Sequence, residues 1–466
     1  MSWLHDKTTE FLERVDEAKE NRVYPFFRPF ENLGTRVKVE RKSYINFTSN
    51  DYLGLSQDPR LIGKAMAAVE RYGTGLGSAR PQATSDRHLA LEQRLADWMG
   101  YEACSIFTTG YQGMVGVLSI FPDDDTTLVI DKLAHACIID GSYLAQGPNP
   151  DLELRYFKHN SPKSLRRILS QSDKSQKMVV VEGLYSVDGD LCPLVDIIEV
   201  CREFDAVIVV DDAHGIGTLG PTGRGVAELQ GVLGEIDILF GSFSKSFGGI
   251  GGFVLADTDL IEYLKLQARS FVYSATLPVA QIEAATTALD IIQSDHSYFR
   301  RLEHNRDFFR NGLLELGFNL GDSETHITPI MIGEDIATLT AGAHLYYGAG
   351  VIMMPFIYPG VPLGKARLRC NVTAAHHEAD MGYTLEALAV IGANLDLLPK
   401  GTKTKASFFD KTRWVAQSKL RGIQNGGLSH VAEEVTEAGT KLKDYAQGLL
   451  GMGSSKSDAA SQESAE

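Results

Sequence analysis

Short runs of branched apolar residues alternate with helix-period segments through the middle of this 466-residue chain, and this alternation limits the folds open to it. Helical periodicity appears, for example, at 86–99 and 194–204. The apolar runs lie at 128–131, 152–157, 177–183, 206–212, 236–243 and 251–257. Continuous apolar runs are typical of strands buried on both faces, and parallel strands need connections of this length. The pattern predicts an α/β domain with a mostly parallel sheet.

The pattern changes after about residue 290, where spaced strands replace continuous ones. A helix at 298–316 and a helix near 376–392 flank candidate strands at 325–333, 350–356 and 366–373. This arrangement predicts a smaller α+β domain. We divide the chain into an N-terminal segment (1–60), a large α/β domain (61–290), the small domain (291–400), a basic, amphipathic helical extension (401–452) and a disordered tail (453–466).

Charge and cysteine content exclude several classes of protein. The 45 basic and 60 acidic residues give a net charge of −15, which argues against nucleic acid as a partner. No run of about 18 apolar residues is present, so no membrane-spanning helix is predicted. Five widely spaced cysteines fit neither a disulfide framework nor a zinc site, and we predict buried thiols and no metal. The polar N-terminus lacks a signal-peptide pattern, which favours a cytoplasmic location.

Ionisable residues follow two of the predicted strands where each strand ends. Asp211 and Asp212 end the run at 206–212, and Lys245 follows the run at 236–243. Ligands of open α/β sheets bind at the carboxyl ends of strands. A lysine in such a place suits Schiff-base chemistry, and a carboxylate nearby suits pairing with a pyridinium nitrogen. A salt bridge between the two is the structural alternative.

Two further strand ends carry features that suit a phosphorylated planar cofactor. Gly110 and Tyr111 open a helix after a strand, and a helix N-terminus binds phosphate. His135 follows the strand at 128–131, where its ring has either a structural role or stacks on a cofactor ring. Together with Lys245 and Asp211, these residues meet the requirements of pyridoxal 5′-phosphate.

The chain resembles the α-oxoamine synthases, fold-type-I pyridoxal-phosphate enzymes that condense an amino acid with an acyl-CoA. The resemblance covers about residues 22–398, and fold type I implies a mostly parallel sheet of the seven-stranded type. It depends on the motifs SNDYLGL (49–55), DKLAHACIIDG (131–141), EGLYSVDGD (182–190), VDDAHGIGTLG (210–220), GSFSKSFGGIGGF (241–253), FVYSATLP (271–278) and ARLRCNVTAAH (366–376).

The resemblance implies four catalytic residues. Lys245 would carry the cofactor covalently and move the Cα proton of the substrate. Asp211 would keep the pyridine nitrogen protonated. His214 would bond to the ring hydroxyl, and His135 would stack on the ring.

Further cofactor contacts are also implied by the resemblance. Ser186 and Ser242 would lie beside the cofactor, and the amides of Gly110 and Tyr111 would hold its phosphate. Thr276 would reach the phosphate of the neighbouring subunit of a homodimer with shared active sites.

On the substrate side, the resemblance implies that Arg369 receives the amino-acid carboxylate and that Asn50 lies nearby. Arg80 is a candidate substrate or CoA contact, with a surface charge as the alternative. The loop after Arg80 departs from the family pattern, because His88 follows it by eight residues instead of nine.

The resemblance leaves the branch of the family open. The segment around Lys245 is most similar to serine palmitoyltransferases, which implies L-serine, palmitoyl-CoA and a 3-ketosphinganine-type product. The alternatives are 8-amino-7-oxononanoate synthase, glycine C-acetyltransferase and 5-aminolevulinate synthase, with acyl-CoA or an acyl-carrier protein as donor. An aminotransferase or lyase on the same fold, and a non-catalytic subunit, are more distant alternatives.

The C-terminal extension differs in charge from the rest of the chain. Residues 401–466 hold nine basic and eight acidic side chains, a net charge of +1. Residues 1–400 therefore have a net charge of −16. Aromatic residues interleave with six basic ones at 403–421, and apolar residues recur at heptad spacing from 428 to 452. We predict peripheral contact of 403–452 with the inner face of a membrane. Packing against the chain's own acidic body is the alternative.

Overall fold

The computed structural model describes residues 2–20 and 24–398. The predicted extension (401–452) and tail (453–466) lie outside the described residues. The strands are β1 (Arg36–Val39), β2 (Lys42–Asn46), β3 (Ala103–Phe107), β4 (Thr126–Asp131), β5 (Glu153–Phe157), β6 (Gln176–Glu182), β7 (Val207–Asp211), β8 (Ile238–Ser242), β9 (Gly252–Ala256), β10 (Ile327–Gly333), β11 (Val351–Ile352), β12 (Met354–Phe356) and β13 (Ala366–Asn371).

The α-helices of the described part connect these strands. They are α1 (Trp3–Glu20), α2 (Pro59–Tyr72), α3 (Asp86–Met99), α4 (Gly110–Leu118), α5 (Ala136–Gln146), α6 (Pro162–Leu169), α7 (Leu194–Glu203), α8 (Val226–Leu229), α9 (Thr258–Gln267), α10 (Arg269–Val272), α11 (Val279–Ser294), α12 (Ser297–Leu316), α13 (Asp335–Ala343) and α14 (Glu378–Asn394). A π-helical turn covers His344–Ala349. None of the helices in 2–20 and 24–398 is long and apolar enough to cross a membrane.

A seven-stranded sheet forms the centre of the molecule, in the order β3-β9-β8-β7-β6-β4-β5. The strands from β5 to β8 are parallel, and β9 runs antiparallel to both of its neighbours. This confirms the predicted α/β class and the mostly parallel sheet. The carboxyl ends of β3, β4, β6, β7 and β8 therefore lie along one edge.

Both faces of this sheet are covered, as the continuous apolar runs predict. In β6, Val179 and Val181 pack into one core with the helices of one face, while Met178 and Val180 pack into a second core on the other. Each such buried side chain contributes about 1.5–3 kcal/mol. Burial on both faces leaves only the strand ends for polar groups. All five cysteines are buried and free, as predicted.

The chain after α11 forms two small sheets with the N-terminal segment. One has the order β10-β13-β12 and is antiparallel. In the other, β2 pairs with β1 and, in parallel, with β11. The N-terminal segment is thus tied to the small-domain strands, and residues 47–55 run from β2 toward the large sheet.

Candidate active site

Two carboxyl groups lie side by side at the ends of β6 and β7. Glu182 pairs in register with Asp211, and both are buried. Asp211 accepts the N–H of Ala213 at 3.1 Å, and the Cys137 thiol lies 3.9 Å from its other oxygen. Burial raises the pKa of Asp211, while the nearby charges of His135 and Lys245 oppose this shift. One Asp211 oxygen therefore lacks a strong partner, which suits a cationic ring nitrogen.

Glu182 was not predicted as a site residue, although it opens the motif EGLYSVDGD. Burial, together with the nearby charge of Asp211, holds the pKa of the Glu182 carboxyl well above its ordinary value. It accepts the N–H of Ser186 at 3.3 Å. This bond ties the backbone of the predicted cofactor contact Ser186 to Glu182, the register partner of Asp211.

Lys245 lies just beyond β8, and its charge is not neutralised by a partner. No carboxylate of residues 2–20 and 24–398 forms an ion pair with its ammonium group. Burial and the positive charge of Arg369 lower its pKa, against the opposing effect of Asp211. The salt bridge considered from sequence is therefore absent from the described chain, and the amine is more available for chemistry.

His135 is the N-cap residue of α5, and its side chain is exposed. Its Nδ1 accepts the N–H of Cys137 at 3.2 Å, which caps the helix. The Tyr111 ring meets it edge-on with ring centres 6.2 Å apart. The imidazole is thus fixed at one side and open at its face, as stacking on a flat ring requires.

The start of α4 forms a cradle for a phosphate. Thr109 caps the helix, and the amides of Gly110 and Tyr111 occupy its first two positions, where helical N–H groups lack carbonyl partners. A Cβ on Gly252 would lie 2.6 Å from the Gly110 Cα, and a Cβ on Gly110 would lie 3.5 Å from the Ser242 hydroxyl oxygen. Glycine at both positions brings this backbone and Ser242 together.

Thr276 lies within a segment that is joined to this cradle. Thr108 donates to the Ala275 carbonyl at 2.6 Å. The Thr276 hydroxyl is buried and donates to the carbonyls of Ser78 and Ala83 within its own chain. The contact with a neighbouring subunit therefore stays a prediction.

The amino-acid side of the site is built around one amide oxygen. Asn50 Oδ1 accepts from Arg369 Nη2 at 3.2 Å, from Asn371 Nδ2 at 2.9 Å and from the Tyr52 hydroxyl at 3.2 Å. The Tyr52 hydroxyl also lies 2.6 Å from His214 Nδ1. Predicted residues Asn50, Arg369 and His214 are thus brought together.

Tyr52 and His326 were missed by the sequence reasoning. Tyr52 lies inside the quoted motif SNDYLGL, which was the available signal. His326 carries no motif signal; its ring meets that of Tyr52 with centres 4.1 Å apart. Burial lowers the pKa of His326 to about 3 and holds that of His214 well below its ordinary value, so both rings are neutral.

Arg80 is buried and paired, so the surface charge considered as its alternative role is wrong, and the substrate or CoA contact stays a prediction. Its guanidinium is 7% exposed and forms bonds to both carboxylate oxygens of Glu92, at 2.8 and 3.2 Å. Glu92 also accepts the N–H of Ile106 at 2.9 Å. Arg80 therefore anchors the shortened loop to α3 and β3.

Comparison with known proteins identifies the family. The model for aminotransferase class I and II matches residues 42–388. An 8-amino-7-oxononanoate synthase of Geobacter metallireducens is 39% identical over 83% of this chain and 99% of its own. A serine palmitoyltransferase of Bacteriovorax stolpii is 35% identical over 82% of this chain and 90% of its own. The chain belongs to the α-oxoamine synthases.

Solved structures agree with this assignment for the α-oxoamine synthase fold. An SPT structure with PLP superposes with a TM-score of 0.80 at 30% identity and covers 85% of this chain and 100% of its own. The Sphingomonas wittichii serine palmitoyltransferase superposes with a TM-score of 0.81 at 28% identity. The match covers 86% of this chain and 100% of its own.

Pyridoxal phosphate is the cofactor of this α-oxoamine synthase, and the site residues fit it. Its ring nitrogen matches the Asp211 oxygen that lacks a strong partner, and its aldehyde matches the Lys245 amine, which forms no ion pair within 2–20 and 24–398. Its phosphate matches the glycine-lined start of α4. Bound there, the cofactor supplies a ring that withdraws electrons from the amino-acid Cα.

Proposed function

We propose that this α-oxoamine synthase condenses L-serine with a long-chain acyl-CoA, palmitoyl-CoA in the first instance. The reaction releases CoA and CO₂ and gives a 3-ketosphinganine-type 2-amino ketone, the first step of sphingolipid synthesis. The Cα–H bond breaks, a bond forms between Cα and the acyl carbon, and the thioester C–S bond breaks. Loss of the carboxylate and return of a proton to Cα complete the balance.

The chain's own residues have distinct parts in this proposal. Arg369 binds the amino-acid carboxylate, and Asn50 and Tyr52 orient it. Lys245, whose amine is freed by burial, takes the Cα proton and returns it. Asp211 keeps a proton on the ring nitrogen, so that negative charge drains away from Cα.

One observation carries the choice of serine. Two residues in contact with Tyr52 each have a buried polar atom that lacks a partner among the described residues: Arg369 Nε and His326 Nε2. Arg369 would receive the carboxylate of either amino acid, but His326 Nε2 distinguishes them: a serine hydroxyl would bond to it, whereas a methyl group would leave it unpaired at a cost of about 1–3 kcal/mol. The structural similarity to serine palmitoyltransferases supports the same choice.

The second candidate is 8-amino-7-oxononanoate synthase, which the identity to the Geobacter metallireducens relative favours. Release of free thiol over a matrix of amino acids and acyl-CoAs, with a parallel acyl-carrier-protein arm, distinguishes the two. We expect serine with a long acyl chain to react fastest. Preference for alanine with a shorter acid would overturn the proposed branch.

A K245A variant tests the chemistry independently of the branch. The wild-type protein with pyridoxal phosphate should show an absorbance band near the edge of the visible region, and K245A should lose it. K265A serves as the matched control, because Lys265 lies on α9 and pairs with Glu262 and Glu92.

We also propose that the enzyme is a homodimer. Large apolar side chains are exposed around the cofactor site, including Tyr111 and Leu133, and Tyr273 is 75% exposed. A covering second subunit would bury them. Light scattering should give a mass near 102 kDa, about twice the 51.0 kDa of one chain. The mass of one chain would contradict this.

Peripheral membrane contact through residues 403–452 remains a proposal that rests on their sequence. Flotation of the full chain with anionic vesicles tests it. The control replaces the six basic residues of 403–421 by glutamine and keeps the length. Equal flotation of both proteins would contradict the proposal and its cytoplasmic, membrane-peripheral location.

A further inference from the structure

A histidine outside the motifs joins two of the loops that form the cofactor site. His159 follows β5, between the loop after β4 and the loop after β6. Its Nδ1 lies 2.9 Å from Asp131 Oδ1, and its Nε2 lies 2.8 Å from Asp190 Oδ2. The imidazole is 22% exposed, whereas Asp131 is fully buried. Both ring nitrogens are therefore donors to carboxylates, which requires the cationic form.

Each carboxylate also shapes the loop that carries it. Asp131 accepts the N–H of Leu133 at 2.8 Å and that of Asn160 at 2.9 Å. The first of these bonds fixes the turn that leads directly to His135. Asp131 therefore sets the course of the His135 loop from within the sheet edge.

Asp190 plays the corresponding part in the loop after β6. Its backbone carbonyl accepts the N–H of Tyr185 at 3.1 Å, which closes a turn around Ser186. Its carboxylate accepts from Asn160 Nδ2 at 2.8 Å as well as from His159. The same loop reaches the small domain, because Thr325 donates to the Gly189 carbonyl and Asp188 pairs with the buried Arg367.

We propose that His159 is a positioning residue of this enzyme: as a cation between Asp131 and Asp190, it fixes the spacing between the His135 loop and the Ser186 loop, and thereby the seat of the cofactor ring. The inference rests on the proposed cofactor contacts of His135 and Ser186. In this role His159 itself touches neither substrate nor cofactor.

Electrostatics agrees with the geometry. The two carboxylates raise the pKa of His159 to about 10, although burial opposes the shift. The other titratable groups facing it are the Tyr185 ring, edge-on at 4.4 Å, and the Cys192 thiol, which lies near both carboxylates. A folded pKa above the unfolded value means that the stabilisation is complete below about pH 6.5 and is lost as the pH rises through about 10.

The experiment measures the affinity of the apo-protein for pyridoxal phosphate and the visible circular dichroism of the bound cofactor. H159Q should bind the cofactor roughly tenfold more weakly and change the dichroism band, which reports ring orientation. H304Q is the matched control, because His304 pairs with Glu378 on the exposed surface. The gap in unfolding free energy between the wild type and H159Q should narrow from pH 6.5 to 10.

An unchanged cofactor affinity and dichroism in H159Q would overturn the proposal, even if stability falls. The bonds of His159 to Asp131 and Asp190 would then stabilise the fold without positioning the cofactor. D190A keeps the bond of His159 to Asp131, removes the bond to residue 190 and replaces H159Q if that variant does not fold; unchanged cofactor affinity in D190A would likewise overturn the proposal. H135A distinguishes a failure of the proposed cofactor site from a failure of the positioning role of His159. Unchanged cofactor binding in H135A would contradict the proposed site, whereas loss in H135A without loss in H159Q would contradict the positioning role alone.

Discussion

Arg80 and Arg369 lie in two regions that differ in the partners they offer an enclosed guanidinium: one supplies a carboxylate and the other only neutral groups. Around Arg80, Glu92 accepts two bonds from the guanidinium, and Thr84 accepts a third at 3.1 Å. Around Arg369, the partners are the neutral Asn50 and Tyr52, and Nε has none among the described residues. A buried charge without a counter-ion is costly unless a ligand supplies one.

Two buried histidines repeat the contrast. Beside Arg80, His88 bonds through both nitrogens, to Ser85 at 2.7 Å and to the Leu277 carbonyl at 2.9 Å. Beside Arg369, His326 leaves Nε2 unpartnered. The charged and polar groups around Arg80 are thus paired with one another, whereas Arg369 and His326 keep unpaired atoms in the region that we propose binds the substrate.

The largest expected effect is on catalysis at Arg369. R369Q removes the cation for the substrate carboxylate, and kcat/KM should fall roughly a thousandfold, equivalent to about 4 kcal/mol. Its unfolding free energy should change by less than about 1 kcal/mol, because no ion pair is broken. R166Q, which removes an exposed pair with Glu203, is the control. If R369Q lost much stability but kept its kcat/KM, Arg369 would have the structural role that we assign to Arg80.

R80M should have the opposite signature. It leaves the Glu92 carboxylate buried without its partner, and urea unfolding should show a loss of about 3–5 kcal/mol. The folded enzyme should keep most of its kcat/KM. R94M, at an exposed pair with Asp290, should cost less than about 1 kcal/mol.

The double variant R80M/E92M sharpens the test, since removing both charges should recover much of the stability. If R80M instead raised KM for acyl-CoA at unchanged stability, the prediction that Arg80 contacts substrate or CoA would be supported.

Lowering the pH should reduce the unfolding free energy, because the buried His88 ring beside Arg80 becomes protonated. Burial, assisted by the charge of Arg80, lowers the pKa of His88 to about 4. A folded pKa below the unfolded value of about 6.5 contributes stability above pH 6.5, and this is lost as the pH falls to about 4. The wild type should lose about 3 kcal/mol relative to H88Q over this range in urea titrations at fixed temperature. Parallel pH curves would contradict the assignment of a neutral buried ring.

The smallest effect on stability is expected at His326. H326Q should change the unfolding free energy by no more than about 1 kcal/mol, because one ring nitrogen is already unpaired. The preference for serine over alanine should fall roughly tenfold. H344Q, which also replaces a histidine of the C-terminal part, is the control. An unaltered preference would remove the observation that favours serine.

Sequence reasoning succeeded where one short segment contains the whole signal. The branched apolar runs predicted the central strands, because strands buried on both faces require such residues. The strand ends carrying Asp211 and Lys245 were likewise visible. By contrast, the Arg80–Glu92 pair joins a loop to a helix twelve residues away, and no periodicity reveals it.

Residues that act through distant partners were also beyond the sequence. Tyr52 meets His214 across 162 residues, and His159 joins carboxylates 28 and 31 residues away on either side. The split of the predicted strand at 350–356 into β11 and β12, in different sheets, likewise depends on tertiary pairing. Local patterns specify strands and loop ends, whereas the packing decides which side chains meet.

The amide oxygen of Asn50 has a kinetic consequence. In the proposed function, Asn50 Oδ1 accepts from the same donors that a substrate carboxylate oxygen would use, so the carboxylate must displace it from them. An incoming carboxylate exchanges one set of bonds for another and gains only the difference. Such a site holds its donors in order before the substrate arrives, and it favours rapid exchange of the amino acid over tight retention. Asn50→Ala would remove this acceptor and leave the donors disordered, with opposing effects on KM and kcat.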